Sequence, residues 1–171
     1  MLASSSAAIQ AAPDAALTDQ LINFVRSVGL PVREEPVPAD TFLPGLQILA
    51  GVLRVDRRQL RYPGDILHEA GHLAVVPPAV RAVLGPDIAD YRSPNNAQGD
   101  EIAAQLWSYA ATVALGLPSA VVFHADGYRG SNEWFNANYQ RGEYPGLPLL
   151  VWLGLTTADT FPRMTRWLRE Q

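Results

Sequence analysis

The chain has 171 residues and a formal net charge of −4, and it is 48% hydrophobic against 18% charged, which is the profile of an ordinary folded protein and not of a disordered one. Its arginines are dispersed, so no nucleic-acid footprint is evident, and no apolar run approaches the roughly 18 residues of a membrane span. There is no cysteine, which excludes disulfides and thiolate metal sites and leaves imidazole and carboxylate as the available metal ligands.

In chain order, residues 1–16 are rich in Ala and Ser and lack both a basic start and a continuous apolar core. They are expected to form a flexible tail and not a signal peptide. Residues 17–29 carry Leu17, Leu21, Phe24, Val25 and Val28 at helical spacing, with Gly29 placed to end the helix. The stretch "LPVREEPVPADTFLPG" holds four prolines and is expected to be extended or looped. "LQILAGVLRVD" reads as β structure, either one bent strand or a hairpin turning near Ala50–Gly51.

A helix is expected from Gly64 or Asp65 to no further than Val76, since Pro77 and Pro78 follow. A short second helix is placed at 78–84. Residues 85–100, "GPDIADYRSPNNAQGD", read as a polar loop. A strongly apolar helix follows from about 100 to 115. Then come the short run "SAVVFH", the aromatic and Asn-rich stretch "YRGSNEWFNANYQRGEY" read as a long surface loop over or beside a cleft, the segment "LPLLVWLGLT", and a helix from about 158 to 170. The expectation is a single domain over 17–171, α+β and mostly helical, with a small β-sheet packed against a central helix, cytoplasmic and without membrane or nucleic-acid partners.

The chemistry concentrates in "GDILHEAGHLAV". His68 and His72 stand four residues apart, on one helical face, so both imidazoles can be aimed at one ion. Glu69 lies about 100° further round the helix, placed to act on a water beside that ion. With three His and seven Glu in the chain, chance gives HExxH roughly 0.002 times per chain. The surrounding residues Ile66, Leu67, Ala70, Leu73 and Ala74 are apolar, and polar groups buried among them are costly unless paired or metallated.

These residues resemble the zincins, the HExxH metallohydrolases. The resemblance is strongest over 64–75, with a weaker likeness in the order of elements from about 46 to 117. Val75 and Pro78 stand where the metzincin pattern needs Gly and a third His, so that branch is excluded. The layout is closer to the minimal gluzincins, in which the third ligand is a glutamate on a later helix. Here that residue is Glu101, expected in the first turn of its helix, where the ordinary reading is an acid favoured by the helix dipole. Its face continues through the small residues Ala104, Ser108, Ala111 and Thr112, which would let two helices approach closely. Asp100, His124 and Glu133 are rival ligands.

The resemblance implies a zinc-dependent hydrolase, a peptidase first of all. His68, His72 and Glu101 would bind Zn2+, Glu69 would act as general base, and a peptide or protein would be the substrate. His124 is a candidate donor to the oxyanion, with Tyr109, Tyr128 and Arg129 as rivals. An edge strand within 46–56 could pair with an extended substrate. Two other readings stay open: a catalytically inactive metal-binding structural or sensor domain, which a fourth ligand such as His124 would close, and hydrolysis of a non-peptide amide or ester.

Overall fold

The computed structural model of the chain describes residues 14–87, 90–127 and 130–171. Of the expected tail, residues 1–13 lie outside that description, while Asp14 to Ala16 belong to the first helix, α1 (Ala15–Ser27). The Asp14 carboxylate accepts from the N–H groups of Ala16 and Leu17, satisfying donors that the first turn cannot pair internally. Gly29, at φ 96°, ends the helix in the left-handed conformation.

The proline-rich stretch contributes one short strand, β1 (Val32–Glu34). Of the two readings of 46–56, the hairpin is the one realised: β2 (Leu46–Leu49) runs antiparallel to β3 (Val52–Val55), with Leu49 opposite Val52. Ala50 and Gly51 have φ of 49° and 74°, the pair of positive values that matches a two-residue turn to the twist of its strands. A β-carbon on Gly51 would meet the Arg81 carbonyl oxygen at 2.4 Å, so the turn tolerates no side chain there.

β1 pairs parallel with β3, giving the order β1-β3-β2 and leaving β2 on the edge. Leu53 donates its N–H to Pro31 on the β1 side. Its cross-strand neighbour Ile48 is therefore in a non-hydrogen-bonded pair, with its own N–H and C=O turned to the open edge.

The sheet packs against α2 (Asp65–Val75), which has the bounds that Pro77 and Pro78 dictate. Ile66, Leu67, Ala70, Leu73 and Ala74 are fully buried, so α2 is enclosed on most of its circumference. The short α3 (Pro78–Arg81) follows. The Arg81 guanidinium turns back to donate to the carbonyls of Leu73, Ala74 and Val76 and to that of Arg169. It thereby satisfies acceptors that the end of α2 leaves unpaired.

The next helix departs from expectation. α4 (Pro94–Ala114) begins six residues before residue 100. Pro94 occupies the first helical turn, where its missing N–H costs nothing, and the Asn and Gly residues that suggested a loop are carried along by the long apolar run behind them. α4 packs across α2, and its Trp107 is fully buried.

Beyond Pro118 a 3-10 turn (Ser119–Val121) leads to the second correction, a helix α5 (Asn132–Gln140) where a surface loop was expected. Phe135 and Tyr139, four apart, both pack on Phe123, with ring centroids at 4.9 and 5.3 Å. That aromatic burial outweighs the polar composition. A one-and-a-half-turn helix, α6 (Leu147–Trp152), packs on α4.

The third correction is the C-terminal segment: residues 158–170 form no helix. Pro162 falls in the middle of the stretch, where it removes a helical donor, and the Thr156, Thr157 and Thr160 hydroxyls bond locally instead. The segment crosses the back of the helices, Arg169 N–H donating to Ala74 and Trp107 Nε1 donating to the Trp167 carbonyl. The described residues thus form an α+β structure, mostly helical, with one small sheet against α2. None of the described helices is long and apolar enough to cross a membrane.

Candidate metal centre

The site is made where α2 and α4 approach. Gly71 faces Ala104 so closely that a β-carbon on it would lie 2.9 Å from the Ala104 carbonyl oxygen. One turn on, the Ser108 hydroxyl donates to the carbonyls of Ala104 and Leu67. The small face of α4 is therefore used as its residue types suggested, although Gly71, the residue that lets α2 come in, had not been singled out. A glycine in a helix interior, unfavourable by about 1 kcal/mol against alanine, was the available signal.

At this crossing His68 and His72 of α2 meet Glu101 of α4. The two Nε2 atoms are 3.1 Å apart, and Glu101 Oε2 stands 3.1 Å from His72 Nε2 and 3.7 Å from His68 Nε2. A tetrahedral ion with ligands at about 2.0–2.1 Å has donor–donor edges of about 3.3–3.4 Å, so three donors with these separations fit one face of such a polyhedron. Gln105 donates to the other Glu101 oxygen at 2.9 Å, fixing the carboxylate so that Oε2 points at the imidazoles.

Glu101 lies two turns into α4, not in its first turn as expected, because the helix starts at Pro94. The dipole of the helix end, which acts only over the first turn, therefore gives no account of this carboxylate. Its partners are the two histidines and Gln105.

The charges respond to this crowding. Burial and the neighbouring His72 hold the His68 imidazole down to about 4. Burial works against His72 as well, but the hydrogen bond to Glu101, reinforced by Glu69, lifts it above the usual range. Glu101 is pulled to about 2: burial opposes its charge, and the His72 hydrogen bond with both imidazoles overcomes that. His72 Nδ1 is buried without a partner among the described residues, so the polar chemistry of this ring passes through Nε2.

Glu69 has a carboxylate oxygen within 4.8 Å of both imidazole donors. It is a neighbour of the triangle. Burial pushes its carboxyl upward, toward the range where a general base works near neutral pH.

His124 is brought to the same cleft but not to the triangle. Its ring stacks on Tyr62 at 3.9 Å, Gly127 covers the ring so tightly that a β-carbon there would be 3.1 Å from Cε1, and Nε2 meets Asp65 Oδ1 at 3.1 Å. Asp65 sits in the first turn of α2, one turn before Glu69. Tyr62 in turn donates its hydroxyl to Asp126. This bracket joins residues 59 positions apart and had no signature in the sequence.

The rivals fall elsewhere. Asp100 is gripped by Arg92 through two hydrogen bonds, Nε at 2.5 Å and Nη2 at 3.1 Å, so its carboxylate is already engaged. Tyr109 belongs to an aromatic cluster with Tyr139, Tyr144 and Phe161. Glu133 is exposed in the first turn of α5. Tyr128 and Arg129 lie outside the described residues.

His68, Glu69, His72 and Glu101 all line a cleft of about 1540 Å³, whose walls also include Leu46, Gln47 and Ile48 of the edge strand. Comparison with protein-family models, curated proteins and solved structures gives no match to this chain.

Proposed function

We propose that this chain is a zinc-dependent hydrolase of the zincin type, acting on peptides. The observation that carries the reading is the triangle of His68 Nε2, His72 Nε2 and Glu101 Oε2, with edges of 3.1, 3.1 and 3.7 Å, on the wall of an open cleft. Two imidazoles and one carboxylate form a donor set suited to zinc. A divalent cation held there supplies Lewis acidity, polarising a carbonyl and acidifying water.

The remaining work belongs to side chains of the protein. Glu69, raised by burial, accepts the proton of the attacking water and returns it to the leaving amine. The edge strand β2, which lines the cleft through Leu46, Gln47 and Ile48, can pair with an extended substrate. For His124, with Nε2 on Asp65 and the ring wedged between Tyr62 and Gly127, the geometry supports a role in holding the N-terminal turn of α2 in place more than direct donation to substrate.

A closed, purely structural metal site would need a fourth protein ligand. The engagement of His124 by Asp65 speaks against that alternative, and the size of the cleft favours a polymer over a small amide or ester. The test is elemental analysis of the purified protein beside Glu101→Ala and Glu69→Gln. The reading requires about one zinc per chain, strongly weakened in Glu101→Ala, and retained in Glu69→Gln while turnover is abolished. Wild-type protein that takes up no divalent metal after reconstitution would overturn it.

A further inference from the structure

The cleft carries more than the metal triangle requires. Phe42 is 94% exposed and Trp134 is 51% exposed, and both belong to its lining, on the 35–45 loop and on α5 respectively. Single exposed apolar residues are commonplace; two large aromatics in the lining of one cleft, with Leu43 and Phe135 beside them, expose apolar surface that solvent does not favour. The cleft's charge is one-sided as well. Among the described residues, Asp40, Asp65, Glu69, Asp87, Glu101 and Asp126 line it beside one guanidinium, that of Arg61. The volume of about 1540 Å³ exceeds the roughly 300–1,000 Å³ of ordinary small-molecule pockets.

We propose that the occupant is an extended polypeptide bearing a large apolar side chain next to Lys or Arg residues. Phe42 and Trp134 grip the apolar side chain, and the acidic lining selects the basic neighbours and rejects acidic ones. This rests on the peptidase reading for its cleavage chemistry but not for its binding. An aromatic clamp recognises bulk through burial and ring contact, and offers a flat cationic guanidinium a favourable face. The excess of carboxylates over guanidinium among the described lining residues raises the local concentration of cationic ligands and repels anionic ones. Asp40 is exposed on the same loop as Phe42, which places a charge beside the clamp.

The test uses the full chain carrying Glu69→Gln, so that binding is read without turnover. Two fluorescent peptides of equal length, Phe-containing and differing only in Lys against Glu at the flanking positions, are titrated at low and high salt. The expected result is at least about tenfold tighter binding of the Lys peptide at low salt, narrowing as salt rises. Phe42→Ser with Trp134→Ser should weaken both peptides by about tenfold or more, with the circular dichroism spectrum unchanged. Asp40→Lys should reduce the Lys-over-Glu preference. Equal affinity for the two peptides, indifference to loss of the clamp, or no binding of either peptide overturns the proposal. Selective binding with neither metal nor cleavage in the wild type would leave it standing and sink the peptidase reading; cleavage of both peptides at one rate would do the reverse.

Discussion

Gly71 and Ala104 set the spacing of the metal centre: a β-carbon on the glycine would stand 2.9 Å from the alanine's carbonyl oxygen and 3.2 Å from its Cβ. His72 follows Gly71 directly, and Glu101 precedes Ala104 by one turn, so what separates these two small residues also separates the ligands. Gly71→Ala sets two effects against each other. Helix propensity improves by about 1 kcal/mol, while overpacking costs about 1–3 kcal/mol. Because the obstacle is the backbone of Ala104, the clash should win, with a small net loss of stability. The larger effect is expected on metal affinity, since the helices must part at the ligand crossing. Competition with a chromophoric chelator would measure it, and unchanged zinc affinity would show that the centre tolerates the shift.

Asp65 and His124 should behave as one unit. If the pair holds the first turn of α2 in place, His124→Ala and Asp65→Ala each lower kcat by about tenfold or more, as for other outer-shell supports, while metal content is kept. The double variant should lose little beyond either single change, because the second substitution breaks a contact already gone. A double-mutant cycle in kcat checks this; strictly additive losses would separate the two residues.

A third expectation concerns pH and lies outside the site. The carboxylate of Asp56 accepts from Gln59 Nε2 at 2.8 Å, from Arg58 N–H at 3.0 Å and from Val37 N–H at 3.4 Å. The Gln59 hydrogen bond leads the causes that hold this carboxyl below its usual range. A carboxylate whose folded-state value is depressed contributes stability that is complete above the unfolded value of about 4 and drains as pH falls through the lower folded one. Asp56→Ala should therefore cost about 1–3 kcal/mol at pH 7, with the gap to wild type narrowing below pH ~4. Urea unfolding at the two pH values measures it, and a gap that does not change with pH would refute the assignment.

The parts of the fold that the sequence makes legible are those fixed by local chemistry. Pro77 and Pro78 end α2, Gly29 ends α1, and the Ala50–Gly51 pair turns the hairpin. His68, Glu69 and His72 were readable from spacing on one helix, and Glu101 from the resemblance to the gluzincins, supported by the small face that continues from it. The misreadings share one cause. In 94–99, which stay largely exposed, turn-forming Asn and Gly residues are carried as the leading turns of the buried helix behind them, and in α5 they are overridden by packing on Phe123 that only the tertiary structure supplies. In 158–170 an apolar spacing resembling a helix is spent on Trp107 and Phe24, against which Trp167 packs at 5.3 and 5.0 Å. The Asp65–His124 bracket and the Arg92–Asp100 grip were out of reach, since nothing local ties the partners together.

The Arg81 guanidinium has a consequence for the order in which the site can mature. It joins the end of α2 to the carbonyl of Arg169, while Arg169 N–H returns to Ala74. On a ribosome, His68, His72 and Glu101 emerge dozens of residues before the strap that braces α2 from behind. During that interval the helix pair exists without its rear support. A nascent chain would therefore hold its three ligands in sequence before residues 167–169 are free to complete the backing of α2.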